Sequence, residues 1–167
     1  MSGFWSNIFS RSDQAEPTSE LLGRVPIFSE LNDGELKSVE RILYRRSFPS
    51  GELIFHHGDP GVGMYIIAEG EVEIRSEPEE KVLATLGSGA FFGEVSLLNE
   101  VPRSATARAK TSCVLWGFFR PELMDLIERK PRLGVKILLA LAQIAGRRLV
   151  AVDVELRHVK KDGEEKE

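Results

Sequence analysis

The chain has 167 residues, of which 42% are apolar, and a formal net charge of −4. That length suits one domain with appendages, the acidic balance lacks the basic footprint of a nucleic-acid-binding protein, and no apolar run approaches the roughly twenty residues that cross a bilayer. A single cysteine, Cys113, excludes an internal disulfide and fits a reducing cytoplasmic compartment, where it reads as a small buried hydrophobe.

Residues 1–20 read as an arm and a linker. Phe4, Trp5, Ile8 and Phe9 fall on one side of a helix at 3.6 residues per turn, an apolar face for a peripheral membrane or protein contact or for packing on the chain's own domain. The arm lacks the basic n-region and long apolar core of a signal peptide, and Ser2 stands where myristoylation needs glycine. The stretch from Ser10 to Glu20 is polar, contains Pro17 and reads as a flexible linker.

A single domain is expected over residues 21–159. Leu21, Leu22 and Val25 give a first helical signal, and Pro26-Ile27-Phe28 a turn. Asn32-Asp33 caps a helix through Leu36, Val39, Ile42 and Leu43, whose spacing defines one buried face. From about residue 44 to 120 the period is two. Strands are expected at Tyr44 to Phe48, Glu52 to Phe55, Met64 to Ala68, Glu71 to Arg75, Lys81 to Leu86, Ala105 to Ala109 and Ser112 to Phe119. Turn residues at Pro49-Ser50-Gly51 and from His57 to Gly63 separate the early ones. Many short strands at regular spacing predict a barrel or jelly roll.

Pro121 fits the first position of a helix through Leu123, Met124, Leu126 and Ile127, which Lys130-Pro131 interrupts. The last helix, residues 134–159, carries Leu138, Leu141, Ala145, Leu149, Val152, Leu156 and Val159 as a stripe about six turns long. Such a stripe exceeds what a small domain needs to cover its own barrel and favours a homodimer through helix 134–159. The other reading folds the helix back over the barrel. A charged tail, residues 160–167, closes the chain.

The chemistry is concentrated between Phe91 and Ala109, F-F-G-E-V-S-L-L-N-E-V-P-R-S-A-T-A-R-A. Gly93 and Glu94 stand at the mouth of a short helix, and Pro102-Arg103-Ser104 opens an alternating strand. Backbone N–H groups at a helix N-terminus favour an anion, and a guanidinium meets phosphate as a planar, bidentate partner. Glu94 would repel a phosphate, so it suits a neutral hydroxyl on the same ligand, such as a ribose. Nothing comparable supports catalysis or a metal. His56 and His57 are adjacent and point to opposite faces of a strand, His158 lies near a helix end, and no Gly-Lys-Ser/Thr follows Gly87 and Gly89. The chain reads as non-catalytic.

F-G-E-V-S-L-L followed by P-R-S-A-T-A resembles the phosphate-binding cassette of cyclic nucleotide-binding domains, found in catabolite activator proteins, kinase regulatory subunits and cyclic-nucleotide-gated channels. G-E-L-I-F-H-H-G-D at Gly51 to Asp59 and M-Y-I-I-A-E-G-E-V-E-I at Met64 to Ile74 precede it in the family's order, so the likeness runs from about Phe28 to Val159. The resemblance implies a mainly β, α+β fold: a double-stranded β-helix jelly roll over about 44–120, with N-terminal helices and a long C-terminal helix in 121–159. Gly58 and Gly70 then serve turns that need positive φ.

For the ligand it implies cAMP or cGMP, without a metal. The phosphate is held by Arg103, the Ser104 hydroxyl and N–H groups near Val95 and Ser96, while Glu94, with Gly93 alongside, takes the ribose 2′-hydroxyl. Leu83 and the Val72/Ile74 side of the sheet are candidate walls for the base. Val152 and Asp153 stand where catabolite activators place neighbouring threonine and serine, and Ser104 in place of threonine leans towards cAMP. Ala145-Gly146-Arg147-Arg148-Leu149 is similar to the helix that pairs with its twin in catabolite activators.

The expected function is a sensor in which Leu97 and Leu98 re-pack against the C-terminal helices when ligand binds. Its output is expected through an unidentified effector protein and not through nucleic acid, since the tail after Val159 is too short for a helix-turn-helix. The alternative is a scaffold or interaction protein that keeps the fold without useful nucleotide affinity.

Overall fold

The structure, a computed structural model, describes residues 19–164, and side chains through residue 154. Phe4, Trp5, Ile8 and Phe9 therefore lie outside the described residues. The chain opens with helix α1 (Ser19–Arg24), a 3₁₀ turn (Pro26–Phe28) and helix α2 (Asp33–Glu40). Asn32 is the N-cap of α2: its side chain accepts the Glu35 N–H at 3.0 Å, and the Glu35 carboxylate accepts the Asn32 N–H at 3.0 Å. This reciprocal box satisfies two donors that a helix start otherwise leaves open. The helix stops at Glu40, short of Ile42 and Leu43, which pack half-buried against the core as the chain turns into the first strand.

Eight strands follow: β1 (Tyr44–Phe48), β2 (Leu53–Phe55), β3 (Gly63–Glu69), β4 (Val72–Arg75), β5 (Val82–Leu86), β6 (Phe91–Phe92), β7 (Thr106–Ala109) and β8 (Cys113–Phe119). They form two four-stranded antiparallel sheets, ordered β1-β8-β3-β6 and β2-β7-β4-β5. Except for the β4–β5 hairpin, which stays within the second sheet, sequence-adjacent strands alternate between sheets, as in a jelly roll. Gly70, at φ 86°, turns the chain from β3 to β4 where a Cβ would collide with the Ser112 carbonyl, and Gly58 also lies at positive φ.

The pleat sends the two faces of β3 and β8 into different cores. Met64, Ile66, Trp116 and Phe118 face the helices, where Leu22, Phe28, Leu133, Ile137 and Leu141 meet them. Tyr65, Ile67, Cys113 and Leu115 face the interior of the roll with Phe48, Val72 and Phe92. Both faces are buried, so these strands are apolar along their length instead of alternating with polar residues. Strand β6, absent from the alternation-based reading, has only two residues. It pairs Phe91 with Ile66 and Phe92 with Tyr65, sending one ring into each core.

The one-turn helix α3 (Val95–Leu98) interrupts the roll between β6 and β7. Helix α4 (Arg120–Arg129) leads through Lys130 into α5 (Pro131–Glu164), 34 residues long. The face of α5 that packs on the domain carries Leu133, Ile137, Leu141 and Ile144. The stripe read from the sequence therefore divides between two environments: Leu141 belongs to this intramolecular core and Leu138 is half-buried, whereas Ala145, Leu149 (71% exposed) and Val152 (52% exposed) are open. Three to four turns of α5 suffice to cover the domain, and the helix continues past its edge. The side chains of Leu156 and Val159 lie outside those described. Among the described residues no helix is long and apolar enough to cross a membrane.

Candidate functional site

The site begins where β6 ends. Gly93 has φ 79°, and a Cβ there would run into the Arg103 guanidinium, so both backbone conformation and space require glycine. Glu94 and Val95 then start α3, whose first turn closes with Ser96 N–H donating to Gly93 O at 3.2 Å and Leu97 N–H to Glu94 O at 3.0 Å. The Ser96 N–H, one of the predicted phosphate donors, is thus taken within the turn. The far end of the cassette is held by the β2–β3 turn: Arg103 N–H donates to Asp59 O at 2.8 Å, Gly58 N–H to Arg103 O at 2.8 Å, and Pro60 bridges to Pro102. Gly61 in that turn lies against Ser96 so closely that a Cβ would collide with its hydroxyl.

Arg103 is 5% exposed. Its Nη1 donates to Gly93 O at 3.3 Å, its guanidinium carbon lies 4.1 Å from the Phe55 ring centre, and its Nε is buried without a partner. Among the described residues it makes no ion pair. Burial pushes its pKa down, against the smaller opposing influences of Tyr65 and Asp59, but a guanidinium remains charged. A buried cation with one carbonyl and one aromatic face for company is poorly compensated, and an anion placed against it would complete its hydrogen bonding.

Glu94, 8% exposed, pairs with Arg148 Nη1 from α5, and the Arg148 guanidinium lies 5.5 Å from the Phe91 ring centre. Sequence reasoning missed Arg148, although a signal was present. It follows Ile144 by four residues, which puts it on the helix face that turns towards the domain.

Gly93, Glu94, Val95, Ser96, Arg103 and Ser104 all line one cavity of about 330 Å³, with Arg148 at its edge and Phe55, Ile74, Ala84 and Leu86 as apolar wall. That volume falls within the roughly 300–1,000 Å³ of small-molecule sites. The other predicted base contacts lie elsewhere. Pairing of Ile74 with Ala84 and of Val72 with Leu86 puts Ala84 and Leu86 on the inner face of β5, so Leu83, 57% exposed, points outward. Val72 is buried in the roll core, and Val152 and Asp153 do not line the cavity. A one-residue difference in strand facing, invisible without the pairing register, separates Leu83 from Ala84.

A second hollow, about 420 Å³, lies where α2 meets the start of α5. Of its polar side chains, Lys130 pairs with Ser38 and Glu35 with Lys136, each at 2.8 Å. Among the described residues no group of three or more His, Cys, Asp or Glu side chains is arranged to hold a metal.

The jelly roll thus sets a buried arginine without an ion pair among the described residues and a buried carboxylate around one partly apolar cavity. The chain belongs to the cyclic nucleotide-binding domain family, whose sequence profile matches residues 45–130. It is 41% identical over 118 residues to a candidate potassium channel protein of Rhodopseudomonas palustris, covering 70% of this chain and 29% of that one. To the cyclic AMP receptor protein of Thermus thermophilus it is 37% identical over 134 residues, covering 78% and 60%. Among solved structures, the Thermus thermophilus catabolite activator protein superposes with a TM-score of 0.73 at 36% identity, covering 81% of this chain and 63% of that one. The chain thus spans between about three and six tenths of the length of these curated relatives.

Proposed function

We propose that this chain is a non-catalytic sensor that binds a cyclic nucleotide, cAMP ahead of cGMP, and passes occupancy to a partner protein. The observation that carries this reading is Arg103, buried without a counter-ion in the cavity that also presents Glu94. The phosphate pairs with Arg103 and the Ser104 hydroxyl, and the ribose 2′-hydroxyl donates to Glu94. The binding unit is assigned to residues 21–159, flanked by the arm and the charged tail. Two contacts support a relay. Arg148 ties α5 to Glu94, and Arg120, the first residue of α4, donates to the last carbonyls of α3, to Leu98 O at 2.6 Å and Leu97 O at 3.3 Å. A ligand shifts the helices only to the extent that it binds one of their arrangements better, and its ribose meets Arg148 at Glu94.

Calorimetric titration with cAMP and cGMP tests the binding. Saturable heat is expected for both, with cAMP the tighter; no heat for either at high micromolar concentration would leave the scaffold reading in place. The exposed apolar residues Leu149, Val150 and Val152 on α5 support a homodimer through residues 134–159. Light scattering should give twice the chain mass, and a monomer at every concentration, with and without nucleotide, would remove the dimer.

A further inference from the structure

The cradle of Arg103 assigns a role to Phe55 that rests on the binding reading above and adds a residue to it. Buried charges in proteins are usually paired with an opposite charge. Arg103 is held instead by the Gly93 carbonyl at 3.3 Å and by the face of Phe55, whose ring centre is 4.1 Å from its guanidinium carbon. That is well inside the roughly 6 Å over which an aromatic quadrupole attracts a cation, and the attraction strengthens where water is excluded. Phe55 is in turn held firmly. It stacks on Tyr65 at 6.3 Å and packs tilted against Phe92 at 5.8 Å, while its backbone pairs with Ala107 on β7.

A carboxylate in place of the ring would hold Arg103 but would occupy its N–H groups and repel an arriving phosphate. An aromatic face holds the plane of the guanidinium without taking up its N–H groups, and Nε stands without a partner. We propose that Phe55 is a positioning residue: through its ring face it sets the plane of the Arg103 guanidinium for bidentate pairing with the cyclic phosphate.

The test is a double-mutant cycle read by calorimetric titration of the full chain with cAMP: wild type, Phe55→Leu, Arg103→Ala and the pair. Phe55→Leu is expected to weaken cAMP roughly tenfold in the wild-type background and to add almost nothing once Arg103 is gone. Phe55→Tyr, which keeps the ring, should restore nearly the wild-type affinity. An equal loss in both backgrounds, or no loss in either, would overturn the role of Phe55 while leaving nucleotide binding intact. Absence of binding by the wild type would overturn the binding reading and this one with it. Should Phe55→Leu lose its cooperative thermal transition, Phe55→Met, which retains bulk without a ring face, carries the same comparison.

Discussion

Arg103→Ala should weaken cAMP binding by about two powers of ten, since removing one partner of a buried charge pair typically costs about 3–5 kcal/mol and part of the nucleotide remains open to water. The loss should fall on the cyclic phosphate. Titration of wild type and variant under the same salt conditions measures it, and an unchanged affinity would place the phosphate elsewhere. The ligand-free variant gives a second readout. Because Arg103 is buried without an ion pair among the described residues, removing its charge should leave the ligand-free melting temperature unchanged or raise it. A large drop would mean that Arg103 mainly holds the fold together, against the binding role.

Glu94→Ala should abolish the chain's ability to tell cAMP from 2′-deoxy-cAMP. In the proposed binding mode the ribose hydroxyl donates to a buried carboxylate, and hydrogen bonds to charged groups contribute about 1.5–3 kcal/mol, so the deoxy ligand should bind the wild type roughly ten- to a hundredfold more weakly. In the variant both nucleotides should bind alike, at close to the weaker affinity. Competition titration reads all four affinities. Discrimination that survives the substitution would show that the 2′-hydroxyl is read by another group. Arg148 lies close enough to be that group, because its guanidinium already meets Glu94.

The residues of the roll announced themselves in the sequence because their physics is local. Turn glycines, the Asn32 cap and the apolar strands of the roll all act over a few residues, and each expected strand is found with ends displaced by a residue or so. The cassette was legible for a similar reason: Gly93, Glu94, Arg103 and Ser104 fall within twelve residues and line one cavity. What could not be read depends on pairing over long separations. Strand β6 is too short to show a period, and the outward facing of Leu83 is decided by its register with β4. Arg148 reaches Glu94 across 54 positions, and the division of α5 into covered and open turns depends on where the domain ends beneath it.

The carbonyl oxygen of Gly93 receives two donors, the Ser96 N–H and Arg103 Nη1. An sp² oxygen has two lone pairs, so this atom is saturated. Its peptide unit joins a helical turn to a guanidinium through one acceptor. The two halves of the cradle therefore meet at a single atom, the acceptor common to the Ser96 N–H and Arg103 Nη1.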